Sequence, residues 1–452
     1  MLDKESLKFL EQALEKLDAG FASLPAIPAQ APQSDQIAEV LALTAERLQD
    51  NYPYFHPMYA GQMLKPPHPV ARSAYALAQW INPNNHALDG GRASSAMEKE
   101  AVAEIARMFG WTEHVGHLTS GGTMANLEAL WIAGQLAPGK TIIASEQAHY
   151  THSRISAVLQ LNFETVVCDV RARMDVDALK KRLAKGDVGT VVATLGTTAT
   201  GSVDPLAEIL ELREKHGFRV HCDAAYGGYF GLAGNLAAET RRAFNSIPRV
   251  DSLVIDPHKH GLQPYGCGCV VFPDPAVGRF YKHDSPYTYF SSKELHLGEI
   301  SLECSRPGAA AVALWATQKL LPLVPGGEFA HGLERCREAA LEFYRRVGGD
   351  NRFVTASFPP ELDIVVFAPL ARSLSESCAL ARKIFDAAAR RNLHLAVADL
   401  PAGLFADGLS GIKEDRPTVS CLRSVLMKPE HLEWTGRIWD ALKAATDEVL
   451  AS

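Results

Sequence analysis

From residue 115 to residue 272, short apolar segments of strand length alternate with segments of helical period. This alternation constrains the fold more than any other feature of the chain. Strands are expected near 115–119, 140–144, 164–168, 189–194, 218–223, 251–256 and 267–272, with helices between most of them. Parallel strands need long crossovers, and helices in those crossovers cover both faces of the sheet. The expected fold is therefore α/β, a mostly parallel central sheet flanked by helices. Ligands in such sheets bind beyond the carboxyl ends of the strands.

After about residue 325 the order changes. A helix over 327–347 is followed by strands at 352–356 and 362–367, a helix over 373–391, strands at 393–399 and 418–426, and a last helix over 430–450. This reads as a smaller C-terminal α+β domain, with the boundary at Pro325-Gly326-Gly327. The expected division is 1–75, 76–325 and 326–452. The first piece holds an amphipathic helix with Leu7, Leu10, Leu14 and Leu17 on one side, closed by Gly20. A stiff connector with Pro25, Pro28 and Pro32 leads to a second amphipathic helix over 35–48, and residues 51–70 read as an ordered aromatic loop. Such a piece is expected to pack on its own fold or on a second subunit. Ser95-x-x-Glu98 reads as a capping box that opens a helix ending at Gly110.

With 452 residues the chain is long enough for two domains sharing a large core, and its net charge of −7 argues against a nucleic-acid or anionic-membrane surface. The eight cysteines contain no CxxC pair, so neither a zinc ribbon nor a disulfide framework is expected. No signal peptide is visible and no apolar run reaches membrane-spanning length. A soluble cytoplasmic enzyme is the expectation.

Several segments carry chemistry. Thr119-Ser120-Gly121-Gly122-Thr123 follows a strand and opens a helix, where small residues let backbone N–H groups approach a phosphate; its plain alternative is an N-capped turn. Gly134–Thr141 matches the nucleotide-binding P-loop pattern by letter, but a helix precedes it and a strand follows, the reverse of what that motif needs. His149 stands just after a strand, where an aromatic ring is placed to stack on a cofactor. His149/His152 and His258/His260 lack the companion ligands a metal needs, so no metal is expected. Residues 193–205 form a strand ending in Thr197 and Thr198, with Asp204-Pro205 as a cap and first-turn proline for the next helix.

Lys259 is the sharpest signal. It sits in DPHKH between two apolar strand-like runs, and thirty-six residues upstream another strand ends at Asp223. A lysine on a turn between buried strands is placed to be a desolvated amine that condenses with an aldehyde. An acid at the end of a neighbouring strand is what a pyridinium nitrogen needs as a partner. Together they suggest pyridoxal phosphate.

GHLTSGGTMANLEAL, EQAHYTH, ATLGTTATGSVDPL, HCDAAYGG and DPHKHGLQPYGCGCVVF stand in the order and spacing of the group II pyridoxal-phosphate amino-acid decarboxylases, and the chain resembles that family over roughly residues 50–430. The resemblance implies a fold-type I architecture and loss of carbon dioxide from an L-amino acid through Schiff-base and quinonoid intermediates. It implies that Lys259 carries the cofactor, Asp223 meets the ring nitrogen, His149 stacks on one ring face and Ala225 packs on the other. Thr198 would hold Asp223 or a ring substituent, and Gly122, Thr123 and His258 would bind the phosphate, to which the turn's own residues add Ser120 and Gly121 as expected cofactor contacts. It further implies a homodimer whose sites draw on both subunits, with residues 52–60 and the partner's 82–92 segment near the substrate.

The chain departs from the pattern in two places. His260 follows the lysine where relatives often carry Trp or Met. The loop that supplies a catalytic tyrosine aligns poorly, and Tyr287 and Tyr289 both compete for the role. Two other activities on the same fold stay open. One is an aminotransferase using Arg423 for the substrate carboxylate. The other is a carbon–carbon lyase of the sphingosine-phosphate-lyase kind, suggested by Ser305-Arg306-Pro307-Gly308.

Overall fold

The computed structural model describes residues 3–26, 34–86, 90–282, 301–409 and 411–451. Two sheets organise them. The larger contains β1 (Val115–Thr119), β2 (Thr141–Ser145), β3 (Asn162–Val166), β4 (Val188–Thr194), β5 (Arg219–Asp223), β6 (Ser252–Ile255) and β7 (Gly268–Phe272), in the order β1-β7-β6-β5-β4-β2-β3. Each strand lies within two residues of its expected place. β3, β2, β4, β5 and β6 run parallel, while β7 is antiparallel to both β6 and β1. The reason is the connection: the turn carrying Lys259 joins β6 to β7 without a helix, so the chain reverses instead of crossing over. The central strands are buried almost throughout; all seven residues of β4 are buried. Each such valine contributes about 1.5–3 kcal/mol on burial.

The helices preceding and within this unit are α1 (Ser6–Ala19), α2 (Ser34–Leu48), α3 (Pro69–Gln79), α4 (Arg92–Met108), α5 (Gly122–Leu136), α6 (Thr151–Val158), α7 (Val176–Leu183), α8 (Leu206–His216), α9 (Ala238–Asn245) and α10 (Gly308–Leu320). α1 packs on α3, and Arg72 of α3 reaches Asp3 at 2.8 Å. α2 buries none of its residues. Gly20 ends α1 in a right-handed conformation, so it does not act as the left-handed cap that its position suggests.

Two expected caps are replaced by deeper roles. α4 starts at Arg92, so Ser95 lies inside the helix and is no cap. Its supposed partner Glu98 is 1% exposed and accepts hydrogen bonds from Leu118 N (2.9 Å), Asn85 Nδ2 (2.6 Å) and Arg306 Nη1 (2.6 Å). Asp204 likewise caps nothing. Its carboxylate is buried and accepts from Met174 N (2.7 Å) and Thr194 N (2.8 Å), tying β4 to the segment before α7. The Gly134–Thr141 stretch is the end of α5 and the start of β2, as its flanks require.

The smaller sheet is antiparallel, with order β10-β11-β9-β8 from β8 (Phe353–Thr355), β9 (Ile364–Pro369), β10 (Ala396–Pro401) and β11 (Thr418–Val425). α11 (Glu328–Gly348), α12 (Leu374–Arg390) and α13 (His431–Leu450) pack with it around Phe343, Phe367, Ile384, Leu422 and Leu442. Among the described residues no helix is long and apolar enough to cross a membrane.

Candidate active site

The carboxyl ends of β4, β5 and β6 and the start of α5 surround one cavity of about 290 Å³. Register places the ends side by side: Thr194 pairs with Asp223, and Asp223 with Val254. Ser120, Gly121, Gly122, Thr123, His149, Thr198, Asp223, Ala225, His258 and Lys259 all line it. Tyr287 and Tyr289 lie outside the described residues.

Asp223 is 4% exposed. Its Oδ1 accepts from Ala225 N at 3.2 Å and its Oδ2 lies 2.8 Å from His152 Nε2. Burial by itself pushes this carboxyl up. The His152 hydrogen bond and charge, with the Lys259 charge behind them, outweigh it and hold the group well below the usual carboxylate range. Asp223 is therefore a standing anion at the cavity wall. The backing is deep. His221 Nε2 donates to Asn126 Oδ1 (2.8 Å) while its Nδ1 meets Ser252 Oγ (2.9 Å), and burial pushes the His221 pKa down to about 3, so this ring stays neutral.

Lys259 Nζ stands 3.0 Å from Asp256 Oδ2, inside the cavity and not on the surface. Asp256 also lies 3.5 Å from His258 Nε2. A side chain at Gly122 would come within 2.6 Å of that carboxylate, which is why the first residue of α5 has none. His258 accepts from Cys267 N at 3.3 Å, and burial holds its pKa below the ordinary imidazole value. His149 Nδ1 accepts from Thr151 N (3.3 Å) and meets Thr151 Oγ1 (2.8 Å), which leaves its Nε2 for a proton. Ser120 N donates to Glu303 Oε2 at 2.9 Å, so this N–H is already engaged by a carboxylate.

Sequence reasoning missed His152, Asp256 and Asn126. His152 was legible as a partner of His149 only through helical spacing, since the residue that it touches is seventy-one positions away. Asn84 and Asn85 lie in the 82–92 segment. Here they brace their own chain: Asn84 Nδ2 donates to Ser305 Oγ (3.1 Å) and Asn85 N to Arg306 O (3.0 Å). Among the described residues no group of three acids, histidines or cysteines is placed to hold a metal ion.

An amine, a buried anionic carboxylate and a helix N-terminus built from small residues, facing one cavity, fit pyridoxal phosphate in its donor chemistry. Fold and cavity together define a fold-type I pyridoxal-phosphate enzyme. Residues 132–369 match the family model described as the pyridoxal-dependent decarboxylase conserved domain. The chain belongs to that family, and it is a pyridoxal-phosphate-dependent amino-acid decarboxylase, a carboxy-lyase. It is 28% identical to L-tyrosine decarboxylase of Enterococcus faecium, covering 73% of this chain and 72% of that protein. It is 29% identical to L-2,4-diaminobutyrate decarboxylase of Acinetobacter baumannii, over 69% of this chain and 68% of that one. Among solved structures it resembles Oryza sativa TDC with PLP and tryptamine (TM-score 0.78, 16% identity, 99% of each chain) and mouse CSAD in apo form (TM-score 0.76, 19% identity, 97% and 99%). At those identities the structural likeness concerns the fold.

Proposed function

We propose that this chain removes the α-carboxylate of a free L-amino acid and releases the corresponding amine, with the site residues in the following roles. Bound pyridoxal phosphate supplies an aldehyde for an amino group and a ring that accepts the electron pair left by departing carbon dioxide. Lys259 presents the amine that attaches it and that later frees the product. Asp223 holds a proton at the ring nitrogen, and its buried carboxylate, 2.8 Å from His152 Nε2 and lining the same cavity as Lys259, carries the reading. An opposite charge in hydrogen-bond contact favours the protonated ring by one to a few pKa units, each about 1.4 kcal/mol. His149 and Ala225 flank the ring, Thr198 supports its substituent, and Ser120, Gly121, Gly122, Thr123 and His258 hold the phosphate. Tyr287 or Tyr289 of the loop, or a histidine, returns a proton to the α-carbon.

Arg423 favours decarboxylation over transamination. Its guanidinium is 4% exposed and donates to Thr198 O (2.7 Å), Ala199 O (3.1 Å) and Gln62 Oε1 (3.0 Å), so it is committed to joining β11 to the site loop and not to a substrate carboxylate. Arg306, in the Ser305–Gly308 element, is likewise committed to Glu98 and Leu118 O.

A homodimer fits α2, whose Ile37, Val40, Leu41 and Leu43 are exposed. In this reading residues 1–75 pack between subunits, 76–325 bind the cofactor and 326–452 form the small domain of a cytoplasmic enzyme. The deciding experiment is carbon dioxide release from a panel of L-amino acids headed by tyrosine, aspartate and 2,4-diaminobutyrate, with no keto acid added. Release dependent on a keto acid, or none from any of the panel, would overturn the proposal.

A further inference from the structure

A second cavity, of about 440 Å³, shares no lining residue with the cofactor site. It lies between the segment before α3, the start of α11 and the segment before α13. Phe329 and Leu333 form a buried apolar wall, with Leu262 and Pro66 beside them. Two lysines line the same cavity. Lys428 is 4% exposed and its Nζ donates to Tyr59 O at 2.7 Å; Lys65 Nζ donates to Met427 O at 3.2 Å.

Each ammonium has three protons and one carbonyl partner. Among the described residues neither has a carboxylate within the 4.0 Å of an ion pair. Glu328 and Glu430 stand at the rim, exposed to solvent, and Arg335 there is already paired with Glu433. A buried cation without a counter-ion is costly, and Lys428 is one; Lys65 beside it is partly exposed. Burial, followed by the Lys65 charge, pushes the Lys428 pKa down to about 7, and burial also lowers that of Lys65. His260 adds a third polar group. It lines the same cavity at 1% exposure, and its Nε2 is held by Asp363 Oδ2 at 3.2 Å.

We infer that this cavity binds a small organic carboxylate, its acid group between Lys65 and Lys428 and its apolar body against Phe329 and Leu333. A carboxylate supplies the missing counter-charge and accepts the spare N–H groups, and the wall suits a hydrocarbon body and not a bare inorganic ion. The ligand sits one residue from Lys259, against His260, so the site adjoins the turn that carries the cofactor lysine.

The test uses holoenzyme whose cofactor has been fixed by borohydride reduction, so that the first cavity is filled. The probe is 3-phenylpropionate, titrated calorimetrically, with 3-phenylpropionamide as its uncharged counterpart. One saturating site per chain is expected for the acid and none for the amide. Lys65→Met and Lys428→Met keep the apolar stems, and each weakens binding roughly tenfold, the worth of one charged hydrogen bond. Absence of saturation, equal binding of the amide, or unchanged affinity in both variants overturns the inference. Should a variant fail to fold, acetylation of the unsubstituted protein decides. The probe must slow labelling of Lys428 and leave exposed Lys8 unaffected; equal labelling of Lys428 with and without it refutes the site.

Discussion

His152 Nε2 and Asp223 Oδ2 are 2.8 Å apart, and both residues are buried. The contact turns a carboxylate that burial would neutralise into a permanent anion. His152 Nδ1 has no partner among the described residues, which leaves the ring free to turn its one good donor toward Asp223.

Removing that donor is expected to raise the pKa of Asp223. In His152→Val, pyridoxal phosphate binding should weaken roughly ten- to a hundredfold, since a hydrogen bond to a charged group is worth about 1.5–3 kcal/mol. A carboxyl held low stays ionised as pH falls; without His152, protonation begins at higher pH. The loss should therefore be largest on the acid side. Absorbance titration of apoenzyme with cofactor at several pH values checks this, and an unaltered affinity with an unaltered pH profile would refute it.

Lys259→Ala should abolish covalent attachment of the cofactor. Borohydride reduction followed by peptide mass analysis is expected to find the label on Lys259 in the unsubstituted protein and on no peptide of the variant. A label retained at the same stoichiometry on another lysine would remove Lys259 from its assigned role.

Arg306 and Glu98 form a buried strut that holds the Ser305–Gly308 element against α4 and β1, just before the Thr119–Gly121 turn. Arg306→Met strands the Glu98 charge in the interior and should cost roughly 3–5 kcal/mol of stability. Denaturant midpoints test it. A change below a few tenths of a kcal/mol would mean that the strut does not matter.

Asp204 accepts two backbone N–H groups, so Asp204→Asn turns an amide NH₂ toward a donor and should cost about 1–3 kcal/mol. Burial also pushes the Asp204 pKa up to about 7. A carboxyl whose folded value exceeds its unfolded one favours the fold at low pH and loses that contribution as pH rises through about 4 to 7. Thermal midpoints should fall across this window in the unsubstituted protein and be flatter in the variant. Parallel pH curves would contradict the assignment.

What could be read along the chain was whatever depends on neighbours in the chain. Apolar runs of strand length between segments of helical period located all seven strands of the large sheet, most clearly those such as β4 that are buried on both faces. Glycines before α5, and an acid and a lysine at strand ends, marked the cavity for the same local reason. Interactions across long stretches of chain left no such trace. Glu98 looked like a cap because Ser95 stands three residues before it, yet its real partner Arg306 lies 208 positions away. Asp204 looked like a cap beside a proline and instead ties two segments together. His152, two lysines facing one cavity, and the engagement of Arg423 with backbone carbonyls were decided by tertiary packing alone. Local order follows from propensity and hydrophobic period, whereas the charge state of a buried group depends on which distant atoms surround it.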